Sequence, residues 1–182
     1  MKKANRLAFN VAFCGIVTAL AVVFMFLSII PSFAYVVPAF AGMVIWTVTQ
    51  HMNVKWAYLC YGAACLISIM LIPQPEANMY FVFFFGYYPT LCIVLEKIKN
   101  KLIRFFVKLA IFNASVILAY NLFVLLFPLE DALEGMEFFG DIAIYAFWGF
   151  ANIAFVIYDF ALATLKEAYI KLIKPKIAAK LK

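Results

Sequence analysis

Apolar runs follow one another along this chain, separated by short polar breaks. They cover about 7–30, 36–49, 56–72, 79–95, 105–127 and 142–165. Pro31-Ser32, the polar stretch Gln50 to Lys55, Pro73-Gln74-Pro75 and Pro128 mark several of the ends. A hydrocarbon core of about 30 Å takes roughly 20 apolar residues per helix. The runs are too long and too continuous for the alternating strands of a membrane barrel. The pattern therefore predicts an all-α integral membrane protein, a bundle of six transmembrane helices in a single domain over 1–182, with a tail at 166–182. The second run is the short one. Its 14 residues span only if flanking polar groups reach outward or the bilayer thins, and a re-entrant segment is the alternative.

Charge gives the bundle a direction. With the N-terminus in the cytoplasm, the inner segments hold all fifteen Lys and Arg, among them Lys2, Lys3, Arg6, Lys55, Lys108 and the tail lysines from Lys166 to Lys182. The outer segments, Pro31 to Tyr35, Pro73 to Asn78 and Pro128 to Asp141, hold none. The positive-inside rule then places both termini inside, which needs an even number of crossings. The last outer loop is acidic, with Glu130, Asp131, Glu134, Glu137 and Asp141. The net charge of +6 is thus a topology signal and an attraction to anionic lipid at the inner leaflet, not a sign of nucleic-acid binding.

Composition agrees with this solvent: 68% hydrophobic residues leave too little polar surface to cover a soluble globule. Lys2 and Lys3 before an apolar stretch, with Ser32-Phe33-Ala34 after it, also resemble a signal peptide. The stretch exceeds the roughly 7–15 residues of a signal core, which predicts that it is kept as a helix. Cys14, Cys60, Cys65 and Cys92 all fall within predicted spans and read as small apolar fillers.

Catalytic motifs are not found. His51 is the only histidine, so no His pair or His-Cys cluster can hold a catalytic zinc. No glycine-rich loop leads into Lys-Ser or Lys-Thr, and no serine sits in a nucleophile elbow. The expectation is a protein without enzyme activity or cofactor, whose uphill transport would be driven by an ion gradient or by another polypeptide.

Polar groups at membrane depth are the remaining candidates, because such groups face a bundle interior or a water-filled cavity. Tyr87 and Tyr88 lie near the middle of the fourth run, beside Gly86 and Pro89. Pro89 cannot donate to the Phe85 carbonyl, which predicts a kink there. The phenols then either line a gap or bond to neighbouring helices. Asn113, Tyr120 and Asn121 form a stripe on the fifth run; Tyr145, Trp148 and Asn152 form one on the sixth. Facing stripes would make an aromatic and amide pocket, or simple packing with belt residues. Asp159, inside the inner end of its helix, reads either as a proton relay or, more simply, as the partner of Lys55, Lys108 or Arg104.

The first helix carries a small-residue surface in Ala8, Ala12, Gly15 and Ala19, suited to close approach by another helix of this chain or of a partner. The start RLAFNVAFCGIVTALAVVFMFL, with Ala8-xxx-Ala12, together with PSFAYVVPAFAGM and FVFFFGYYP and the overall layout, resembles the substrate-binding S components of energy-coupling factor transporters. Gly15 and Ala19 depart from the family pattern by small substitution. The resemblance implies a subunit of the bacterial cytoplasmic membrane that captures a vitamin or other scarce nutrient from outside and works with a coupling membrane subunit and two ATPases. It places the ligand in the outer half, between the loop after the first helix and the later helices. Tyr35, Asn78, Tyr87, Asn121, Trp148 and Asn152 fit that placement. The alternative is a small membrane scaffold or assembly factor binding lipid or another membrane protein, its basic tail KEAYIKLIKPKIAAKLK lying on the inner leaflet.

Overall fold

Proline and asparagine mark several of the helix boundaries. The structure, a computed structural model, describes residues 3–126 and 140–173, and among these every regular element is helical. The first helix, α1 (Lys3–Phe26), runs into a 3-10 turn at Leu27–Ile29 and stops at Ile30, which is extended (φ −82°, ψ 115°) because Pro31 follows it. Next come α2 (Val37–Trp46), α3 (Val48–His51) and α4 (Val54–Leu71). Ile72 ends α4 in the same way, extended before Pro73. Pro75 opens α5 (Pro75–Tyr80) with Glu76 in its first turn, where the helix dipole favours an acid. A π turn (Phe81–Phe85) and α6 (Tyr88–Leu95) complete the fourth run. Asn100 caps α7 (Lys101–Leu126) by accepting the Leu102 N–H at 2.9 Å. The last long helix is α8 (Gly140–Ala168), followed by a π turn at Tyr169–Ile173.

Among the described residues, five helical stretches are long and apolar enough to cross a membrane: Arg6–Ile29, Val54–Leu71, Pro75–Leu95, Lys101–Leu122 and Trp148–Lys171. The run at 36–49, expected as a short second span, is the ten-residue α2 followed by the four-residue α3. The acidic segment up to residue 139 and the basic tail beyond residue 173 lie outside the described residues, as does the side chain of Tyr145.

The chain divides into two compact units, Met1–Arg104 and Phe105–Lys182. In the first, α2 is the central element, in contact with α1, α4, α5, the π turn and α6. Its buried residues Val37, Pro38, Ala41, Gly42, Ile45 and Trp46 pair up every four residues and cover one half of the helix, while Phe40 on the other half is exposed. Helix α1 contributes Val17, Ala21, Val22 and Met25 to the same core, at the three-and-four spacing of one face. Buried Ser28 and Ser68 donate to the Met25 and Ala64 carbonyls of their own chain segment, at 2.6 and 2.5 Å, which satisfies their hydroxyls without a partner helix.

The second unit is an antiparallel pairing of α7 and α8. Lys108 meets Asp159, Phe112 stacks on Phe155 with ring centroids 4.7 Å apart, and Asn113 meets Asn152. Numbers rise along one helix as they fall along the other.

Candidate functional site

The fourth span is interrupted where Gly86 and Pro89 predict a kink, and the interruption has a defined form. The Gly86 N–H donates to the Phe81 carbonyl at 2.8 Å, five residues back, rather than to Val82 as in a regular helix. The released Val82 carbonyl accepts the Tyr61 hydroxyl of α4 at 2.5 Å. The Tyr61 ring lies edge-on to Tyr87 with centroids 5.9 Å apart, and Phe84 packs 4.5 Å from Tyr88. Glycine is required on both sides of this arrangement. A Cβ on Gly86 would stand 2.7 Å from the Phe81 carbonyl oxygen, and one on Gly42 of α2 would overlap the Phe85 carbonyl.

Of the six residues assigned to ligand capture, three fall in each unit. Tyr35 is exposed and meets Tyr80 with ring centroids 5.4 Å apart. Asn78 is only 8% exposed and donates to the Ile72 carbonyl at 3.0 Å. Its Oδ1 is buried and has no hydrogen-bond partner among the described residues. Tyr87 belongs to the cluster around the π turn.

In the second unit Trp148 and Asn152 come together on Asn113. Trp148 Nε1 donates to Asn113 Oδ1 at 2.5 Å, Asn113 Nδ2 donates to Asn152 Oδ1 at 2.9 Å, and Asn152 Nδ2 donates back to Asn113 Oδ1 at 3.3 Å. The second amide hydrogens go to the Leu109 and Trp148 carbonyls, both at 2.9 Å. Asn113 thereby uses two donors and two acceptor sites, the full capacity of a carboxamide. It is the hub of the network, yet its sequence signal was only its place in a polar stripe. Asn121 stands apart: it is exposed and donates to the Ile117 carbonyl of its own helix at 2.7 Å. Replacing Asn113 with Leu is expected to weaken the pairing of α7 and α8 by about 1–2 kcal/mol, the scale of interhelical polar contacts in membranes, and to raise amide exchange along both helices.

Asp159 receives Lys108 Nζ on both carboxylate oxygens, at 2.7 and 2.8 Å. Of the three cations named for it from sequence, this is the one the antiparallel register brings level.

The small-residue stripe of α1 is open. Ala8, Ala12, Gly15 and Ala19 are all exposed, and a Cβ on Gly15 would meet nothing within 4 Å. The stripe lies roughly 120° around the helix from the buried face, at 100° per residue. Among the described residues, no group of three or more His, Cys, Asp and Glu side chains is placed to hold a metal ion. Compared with known proteins, the chain matches no family model, no curated protein and no solved structure.

Proposed function

We propose that this chain is the substrate-binding component of an importer of the energy-coupling factor type, taking up a vitamin or similar scarce nutrient with a coupling membrane subunit and two ATPases. The observation that carries the reading is the exposed stripe Ala8, Ala12, Gly15 and Ala19. Four small residues facing away from the helix's own core leave a smooth strip on which another helix backbone can seat closely. In this reading the chain crosses the cell membrane six times with both termini inside, α2 and α3 forming the second crossing. All fifteen Lys and Arg then border one leaflet. Tyr35, Asn78 and Tyr87 of the first unit then border the ligand, which reaches them from the cation-free outer face.

Ala12→Leu tests the reading directly. Because Ala12 is exposed, the variant keeps its own melting behaviour while its recovery with the coupling subunit and ATPases falls at least tenfold; full recovery of the complex would refute the assignment. A scaffold or assembly role is the second reading. It is favoured by the Asn113 network, whose donors are all engaged within the helix pair. Purification without ATPases under every extraction condition would select that role.

A further inference from the structure

The π turn at Phe81–Phe85 sets the orientation of α5, and one hydroxyl from another helix sustains it. A π turn accommodates one residue more than a regular helix over the same rise. It leaves one carbonyl without its usual donor, and in an apolar interior such a carbonyl must find another. Here the carbonyl is Val82 and the donor is Tyr61. The Tyr61 ring rests against Gly86, where a Cβ would lie 2.6 Å from it. Without the hydroxyl, the Val82 carbonyl regains a partner only if the Gly86 N–H returns to it, which closes the turn into α-helix. With the sequence unchanged, closure winds α5 about 100° further relative to α6. Each residue of α5 then takes the angular place of the one before it. Ala77, fully buried, moves to the exposed place of Glu76, and Asn78 leaves the Ile72 carbonyl.

We propose that Tyr61 is the positioning residue for ligand capture: its hydroxyl holds the fourth span in π register and so keeps the Asn78 amide oxygen turned inward. That oxygen, buried and without a hydrogen-bond partner among the described residues, accepts an N–H or O–H from the ligand. Tyr61 touches no ligand in this scheme. The capture step rests on the transport reading above, whereas the register step does not.

The experiment uses the full chain in detergent, with its four native cysteines replaced, and Ala77→Cys as reporter toward a sulfonated maleimide. With Tyr61 present the thiol is protected; Tyr61→Phe raises its labelling rate at least tenfold. Deleting Phe83 as well removes the residue that the turn accommodates, so an ordinary helix then keeps both flanks on their original faces and protection returns. Native mass spectrometry of the same preparations counts the small molecule carried per chain, which Tyr61→Phe loses and the Phe83 deletion restores. Equal labelling of the Tyr61 and Tyr61→Phe proteins, or failure of the deletion to restore protection, overturns the proposal. Tyr61-dependent labelling in a wild-type protein that carries no molecule leaves the register mechanism standing and removes the transport reading alone.

Discussion

Gly42→Ala is expected to destabilise the first unit by about 3 kcal/mol or more, among the larger effects of overpacking a core. The added methyl meets the Phe85 carbonyl group, and its carbon atom would stand 2.8 Å away. A flexible side chain could swing aside, but backbone cannot. Either α2 retreats from the fourth span, opening contacts at Ala41 and Ile45, or the π turn is distorted. Gly62→Ala in α4 is the matched control, because a Cβ there meets nothing within 4 Å. Alanine improves a helix interior by up to about 1 kcal/mol over glycine. One substitution at two glycines thus gives opposite signs, read as unfolding midpoints in detergent. A stable Gly42→Ala protein would mean that α2 and the fourth span do not approach as described.

Asp159→Ala is the second large effect. The carboxylate and Lys108 are 23% and 14% exposed, and both carboxylate oxygens are engaged. Removing one partner strands the other charge among apolar side chains, at a cost of about 3–5 kcal/mol for a buried pair. Lys108→Met is expected to cost a similar amount. The double variant Lys108→Met, Asp159→Ala leaves no charge to strand and should recover most of the loss. Thermal unfolding of the four proteins closes the cycle. Additive losses would show that the pair does not act as a unit, and would reopen the proton-relay role for Asp159.

Features governed by the solvent were legible in the sequence. Five of the expected spans correspond to helical stretches long and apolar enough to cross a membrane, because the bilayer dictates run length directly. Helix ends at Ile30 and Ile72 follow from the prolines after them. Gly86 and Pro89 marked the interruption of the fourth span, but not its π form. That form depends on Tyr61, about one and a half helices away in sequence, and on Gly42, whose lack of a side chain conveys nothing about what approaches it. Polar stripes were legible as stripes only. Which amide becomes the hub depends on how α7 and α8 slide past one another, so Asn113 rather than Asn121 holds Trp148 and Asn152. The same sliding selects Lys108 for Asp159.

Helices α2 and α3 together cover 37–51, a length of about 22 Å at 1.5 Å per residue. In the six-crossing reading proposed above, hydrocarbon about 30 Å deep holds so short a rod poorly at both faces. Its neighbours α1 and α4 must therefore do so, and α4 is synthesised after it. During biogenesis the segment is an orphan until α4 emerges, so the insertion machinery has to shelter it for the time taken to translate some twenty further residues. A ribosome stalled while α4 is still inside its exit tunnel should leave a nascent chain that proteases can reach at Gln50 once that residue has emerged.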